Sequence, residues 1–404
     1  MSRILTTHVG SLPRTKELLD ANKRRSQGNI SDAEYAQIIE DSARQVVAKQ
    51  FELGIDIVNE GEYGHAMGSE VNYGAWWNYI FPRLSGLEVV SRERIEAALA
   101  KQPTNKVTLS EFTQRRDFAA FADVYATTEA GDASKNADID VRDFPAVTGP
   151  ISYIGQDEVA RDVKLLKDAL AANNSDNKGF IASVSPGSAV RLTNEYYEDD
   201  DAAVLASAPA MHEEYKAITD AGFDLQLDAP DLAESWDQIN PAPTVEGYQE
   251  FLKVRVDALN QAIEGLPKEQ IRLHICWGSW HGPHSTDIPF GEIIDVLMEA
   301  KVGGMSFEAA GPRHAHEWRV WENRTLPAGY KLYPGVISHN TNALEHPDLV
   351  ADRIVQFAEV VGADNVIASS DCGLGGRLHR DIAWAKLDSL VQGAKIASQR
   401  LYGA

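Results

Sequence analysis

Cysteine is nearly missing from this chain: Cys276 and Cys372 are the only two in 404 residues. Two cysteines do not make a disulfide scaffold, and in a reducing compartment their remaining uses are core packing, metal binding or catalysis. Positive charge is also short, with 38 lysines and arginines against 60 aspartates and glutamates and a formal net charge of −22. Such a field repels phosphate backbones and anionic membranes, so neither nucleic acid nor a membrane surface is an expected partner. No apolar run reaches the roughly 18 residues of a membrane span. The opening MSRILTTHVG lacks the cationic and apolar regions of a secretory leader. These shortages point to a cytoplasmic protein. No Gly-x-Gly-x-x-Gly turn follows an early strand, which leaves a dinucleotide site in an open doubly wound sheet without local support.

What the chain does have is alternation. Short β-like runs recur at Ile4–Val9, Ile55–Asn59, Phe180–Val184, Leu225–Leu227, Ile271–Cys276, Gly304–Phe307, Gly335–Ile337 and Val366–Ala368. Amphipathic stretches such as Ala33–Gly54, Asp199–Gly222, Val245–Gly265, Gly291–Lys301, Pro347–Gly362 and Ile382–Leu401 separate them, with apolar residues at helical spacing. Strand–helix alternation argues for a parallel sheet with helices outside it, and eight such units suggest a (β/α)8 TIM barrel. The expected organisation is one domain over 1–404, with a long insertion at about 63–178 after the second strand. Aromatic residues open that insertion (Tyr73, Trp76, Trp77, Tyr79), and Thr148-Gly149-Pro150 suggests a hairpin within it. The stretches Ala130–Asp143 and Asn173–Lys178 read as polar loops.

Side chains alternate along a strand, so His274 and Cys276 point to one side at the end of the fifth strand. Glu308 ends the sixth strand and Cys372 follows the eighth, which sets all four on the same rim. Thiolate sulfur, imidazole nitrogen and carboxylate oxygen are zinc ligands. The plainer alternative is that both cysteines are buried small hydrophobes beside a satisfied core histidine. A structural zinc would group its ligands in Cys-x-x-Cys knuckles; these are far apart in sequence, as in a catalytic site.

At these residues the chain resembles the catalytic barrel of cobalamin-independent methionine synthase, in the superfamily that includes uroporphyrinogen decarboxylase and epoxyalkane:coenzyme M transferase. The resemblance runs nearly end to end. The family's Thr-Thr-x-Ile-Gly-Ser-Phe-Pro opening corresponds to Thr6-Thr7-His8-Val9-Gly10-Ser11-Leu12-Pro13, its His-Gly-Glu to Glu60-Gly61-Glu62, and its Gln-Ile-Asp-Glu-Pro to Gln226-Leu227-Asp228-Ala229-Pro230. Its zinc pattern is similar to His274, Cys276, Ser306-Phe307-Glu308 and Asp371-Cys372-Gly373-Leu374. The resemblance implies a Zn2+ cofactor on His274, Cys276, Glu308 and Cys372, with Ser11 at a substrate carboxylate and Glu62 and Asp228 at its ammonium. It also implies a proton-handling histidine, here His339, displaced by one place in Ser338-His339-Asn340-Thr341. Two features depart from the family. A chain of 404 residues has no room for the additional N-terminal barrel that helps hold polyglutamylated folate, and Ser185–Leu192 carries no tryptophan to stack on a pterin.

The expected activity is therefore that of a zinc-dependent S-alkyltransferase acting on a small thiol and an alkyl donor. The first reading is methyl transfer to homocysteine, giving methionine, from a donor other than polyglutamylated folate. An alternative is epoxide opening with coenzyme M, whose sulfonate Arg14, Arg191 or Arg313 could meet and for which His339, His281 or Tyr333 could donate a proton. A further alternative is a thiol-binding or decarboxylase-like barrel without zinc chemistry. A sulfur-rich metal shell keeps a bound thiolate electron-rich and suits alkyl transfer better than hydrolysis. Trp277 and Trp280, directly after the first ligands, could wall the donor, and Arg313, His314 and His316 could contact an anionic one. Assembly into a homo-oligomer is left open.

Overall fold

The computed structural model describes residues 2–65, 79–103, 106–110, 114–125, 143–173 and 178–403. Its strands are β1 (Leu5–Thr6), β2 (Leu87–Ser91), β3 (Asp143–Val147), β4 (Phe180–Val184), β5 (Thr193–Asn194), β6 (Asp224–Asp228), β7 (Ile271–Ile275), β8 (Gly304–Phe307), β9 (Lys331–Ile337) and β10 (Ile367–Ser370). Seven form a parallel sheet in the order β1-β10-β9-β8-β7-β6-β4. The segment around Val58 lies between the two ends of that sheet. Ile57 N–H donates to Thr6 O at 3.1 Å, Val58 N–H to Lys178 O at 3.3 Å, and Phe180 N–H to Val58 O at 3.0 Å. The sheet thus curls into the expected barrel, and each of the eight strand-like runs takes its place in the ring.

Burial on both faces explains the strand sequences. All five residues of β7 and all four of β8 are buried, as expected of parallel strands covered by helices outside and side chains inside. The outer helix Val245–Ala262 buries Tyr248, Phe251, Leu252, Val256 and Leu259 at three- and four-residue spacing, and Thr244 caps its start by accepting from Gly247 N–H. Each such large apolar side chain contributes about 2 kcal/mol when fully buried.

Inside the barrel, Arg272 crosses the interior: its Nε donates to Gln226 Oε1 at 2.8 Å and its terminal nitrogens to Thr7 Oγ1 at 3.2 Å and His8 O at 2.9 Å. Tyr333 packs in this lower layer against Ile57, Phe180 and Ile367, not at the rim where a proton donor to an epoxide would stand.

A second sheet, in the order β2-β3-β5, pairs β2 antiparallel with β3 and β3 parallel with β5. Thr148-Gly149-Pro150 lies at the end of the β2–β3 pair, where Thr148 N–H donates to Gly86 O, and does not connect the two strands as a hairpin turn would. Tyr73, Trp76, Trp77 and most of the polar stretches at 130–143 and 173–178 lie outside the described residues. Among the described residues no helix is long and apolar enough to cross a membrane.

Candidate metal centre

The site is assembled from the C-terminal ends of the barrel strands. Asp228 and His274 are register partners across β6 and β7, and His274 and Ser306 across β7 and β8. His274 Nδ1 sits 3.2 Å from Ser306 Oγ, which orients the ring; its buried Nε2 has no hydrogen-bond partner among the described residues. Two residues on, Cys276 faces the same side. Cys372 arrives from the other end of the chain, and the ligand atoms of His274, Cys276 and Cys372 lie within 4.8 Å of one another. Both cysteines are free and buried.

Such close packing of two thiols has an electrostatic consequence. The hydrogen bond between them, with Cys276 donating, holds Cys372 well below the usual thiol range and pushes Cys276 well above it. Two sulfurs and an orphaned imidazole nitrogen within one short radius are a donor set that fits zinc.

Glu308 stands beside this trio. Its ligand oxygen falls in a second group with His339 and Asp371, within 4.8 Å of one another, and its Oε1 accepts from Trp277 N–H at 2.9 Å. Burial pushes its carboxyl up to about 8. Asp371 is already engaged: it accepts from the amides of Ala309, Ala310 and Gly311 at 2.7 to 2.9 Å, so it latches the loop that follows Glu308. His339 is fully buried, and neither ring nitrogen has a partner among the described residues. Burial lowers its pKa to about 3, which keeps the imidazole neutral at pH 7.

Ser11 and Glu62 come from the ends of the first two strands on the same rim, and Asp228 faces both Glu62 and His274. The loop after Cys372 wraps the first strand's end, with Leu374 and Gly375 N–H both donating to Ser11 O. Ser11 Oγ accepts from Arg14 at 2.9 Å, and Arg14 also donates to Glu62 O. Glu62 takes a left-handed φ of 58°, and a Cβ at Gly10 would sit 2.1 Å from Glu62 Oε1, so only glycine lets this carboxylate approach. Burial raises the pKa of Glu62, and it brings Asp228 up to about 7, with the charges of Glu62 and Cys372 adding to the shift. Glu60, buried nearby with one oxygen unpartnered among the described residues, is pushed up to about 8 by burial. His65, Arg14 and Arg377 oppose the shift of Glu62 without overcoming its burial.

Other residues take roles the sequence did not reveal. Arg377, on the glycine-rich loop after Cys372, donates to Ser279 O and lies in electrostatic reach of Cys372, Glu62 and His339. His314 is not at the surface for a donor to touch. It is buried between Asp287 at 3.0 Å and Glu317 at 2.7 Å, stacked on Trp277 with centroids 4.1 Å apart. Burial opposes its charge, but the two carboxylates prevail and lift its pKa to about 10. Arg313 stays exposed and donates to Ser285 O at 3.4 Å. These arrangements leave little local signal, because Ser279, Trp277, Asp287 and Ser285 come from another loop; only Glu317, three residues on from His314, is local.

A family model described as the catalytic domain of cobalamin-independent synthase matches residues 4–74 and 88–396. The chain is 29% identical over 242 residues to a 2-hydroxypropyl-CoM lyase of Xanthobacter autotrophicus, a match that spans 52% of this chain and 59% of that protein. It is 21% identical to a methionine synthase of Thermococcus kodakarensis, across 98% of this chain and 94% of its relative. Among solved structures, a B12-independent methionine synthase from a Shewanella species, in complex with selenomethionine, has the same fold. It superposes with a TM-score of 0.69 at 21% identity, covering 100% of both chains.

Proposed function

The chain belongs to the family of cobalamin-independent synthase catalytic domains, and on that premise we propose that it is a zinc-dependent S-alkyltransferase that methylates homocysteine to methionine. One observation carries the reading: His274, Cys276 and Cys372 meet within 4.8 Å on the rim that also presents Glu62 and Asp228. Zinc, which the two cysteines, His274 and Glu308 would hold, would supply the Lewis acidity that ionises a thiol at neutral pH. Glu62 and Asp228, whose carboxyls are raised chiefly by burial, take up the ammonium of the amino-acid acceptor. Ser11 and the amides around it, braced by Arg14, receive the acceptor's carboxylate.

In the transfer, the acceptor's S–H bond is lost and an S–CH3 bond forms. The donor's bond to its methyl group breaks with the electron pair leaving on the donor, which then takes a proton. His339 serves that last step: a neutral imidazole can donate from one nitrogen while accepting at the other. The donor is one other than polyglutamylated folate. In Ser185–Leu192, Ser185 and Ser188 both donate to Asp231 Oδ1, and no aromatic side chain stands there for a pterin.

The 29% identity to the lyase favours a second reading, epoxide opening by coenzyme M. Two of the three cations offered for it are engaged in other contacts, Arg14 with Ser11 and Glu62 O and Arg191 with Glu234 at 3.2 Å and Gln238, while Arg313 stays exposed. The test is to quantify bound metal in the purified protein and then follow metal coordination by X-ray absorption as homocysteine or coenzyme M is added. Replacement of an oxygen neighbour by sulfur with homocysteine alone supports methyl transfer. Replacement with coenzyme M alone moves the protein to the second reading, and no response to either removes both.

A further inference from the structure

The loop Cys276–Pro289 leaves β7 and touches the candidate metal ligands at its near end. Trp277 N–H donates to Glu308 Oε1 at 2.9 Å and Gly278 N–H to Cys276 Sγ at 3.3 Å. Gly278 has φ +106°, and a Cβ there would lie 1.7 Å from the Trp280 ring, so the loop can only make this bend with glycine.

The far end is fastened by a residue remote in sequence. Asp117, on the short helix Arg116–Ala120, is buried and accepts from His284 N–H at 3.2 Å, Ser285 N–H at 2.8 Å, Ser285 Oγ and Tyr125 OH. The Tyr125 hydroxyl accepts in turn from Trp280 Nε1 at 3.0 Å. The guanidinium of Arg115 lies 4.0 Å from the centre of the Trp280 ring, and Trp280 stacks on His284. His284 itself holds a left-handed φ of 52°, a conformation that costs about 1 kcal/mol or more in a non-glycine residue and persists only where neighbours impose it.

From this chain of contacts we infer that Asp117 is a positioning residue for the metal centre. A buried carboxylate is costly unless its lone pairs are filled, and here four donors fill them, three on one loop and the fourth carrying that loop's tryptophan. Fastening the loop at residues 280, 284 and 285 fixes where the amides of Trp277 and Gly278 point, and hence the hydrogen bonds to Glu308 and to the Cys276 sulfur. The inference rests on the proposed metal site, since its effect is read at those ligands.

The test compares Asp117→Asn with the unaltered chain and with Glu214→Gln. Glu214 is a buried carboxylate of similar connectivity, tied to Tyr79, Tyr153, Ser183 and Arg83 away from this loop. Each metal-stripped protein is titrated with Co2+ while the thiolate-to-cobalt absorption and the thermal midpoint are followed. We expect Asp117→Asn to weaken cobalt binding ~10–100-fold and to shift the absorption band. Glu214→Gln should lower the thermal midpoint and leave both unchanged. Equal cobalt affinity and an unshifted band in Asp117→Asn would show that its carboxylate serves stability alone and overturn the inference. If the unaltered chain gives no thiolate-to-cobalt band, the metal site itself fails and the role of Asp117 falls with it.

Discussion

Arg272 and His274 sit one pleat apart on β7, yet the lower interior and the rim treat them oppositely. Below, every guanidinium nitrogen of Arg272 finds an acceptor, and the rings of Phe180 and Tyr333 lie 3.9 and 5.0 Å from its charge. At the rim, His274 Nε2, both nitrogens of His339, one oxygen of Glu60 and Asn59 Nδ2 are buried without partners among the described residues. Unmatched buried polar atoms are rare in folded proteins; others lie elsewhere, as at Trp321 Nε1 and Tyr330 Oη, but the contrast between a fully matched Arg272 and these open rim atoms separates a group placed for stability from groups placed to receive ligands.

The strongest attack on that contrast is Cys372→Ala. It should reduce metal affinity ~10³-fold or more and abolish transfer, while the urea midpoint of the metal-free protein barely moves. A variant that kept its metal would remove Cys372 from the centre. In the lower layer the consequence should invert. Arg272→Met strands the acceptors on Gln226, Thr7 and His8 and should cost about 3 kcal/mol in urea unfolding, with metal content of the folded protein unchanged.

His8 sharpens the same comparison through pH. Its Nε2 donates to Gln50 Oε1 at 2.8 Å and its Nδ1 accepts from Gly10 N–H at 3.1 Å, a fully matched neutral ring. Burial lowers its pKa to about 4; the bond to Gln50 opposes that shift and the charge of Arg272 assists it. The unfolded chain protonates this histidine near 6.5. The stability it confers is therefore complete above that pH and is lost as pH falls through 4, about 3 kcal/mol in all. His8→Gln should flatten this part of the pH–stability profile, and an unchanged slope would place the effect on other groups. The smallest effect belongs to Asp228→Asn. It should raise the KM for homocysteine ~10–100-fold without altering metal content, because a charge-assisted bond to the ammonium is lost. An equal change with coenzyme M would deny Asp228 that role.

Much of the barrel was legible because each strand carries its own signal. Runs such as Ile271–Ile275 are apolar on both faces, and helices such as Val245–Ala262 repeat their apolar residues every three or four positions. The second strand is the least regular of the eight, for Ile55–Asn59 holds its place through an isolated bridge at Val58 and a bond from Ile57 N–H to Thr6 O. Thr148-Gly149-Pro150 suggests a hairpin because turn residues are a local signal, whereas the sheet β2-β3-β5 has none: it pairs β2 with β3 across a long stretch of chain and takes β5 from beyond the insertion. In the site, alternation along one strand placed His274 and Cys276 on one side. Nothing local shows that Glu308 leans toward the Trp277 amide and His339 or that Asp117 fastens the loop beside them, since these contacts join separate loops.

By itself the amino-acid order determined the periodicities, and through them the ring of parallel strands and the rim on which their polar ends fall, because backbone geometry converts spacing into direction within one element. Tertiary structure alone decided which of those ends touch. The opposed shifts of Cys276 and Cys372, the lowered pKa of His339 and the raised carboxyls of Glu62 and Asp228 all arise from burial beside groups distant in sequence. Charge and desolvation act through space, so only the folded chain can set them.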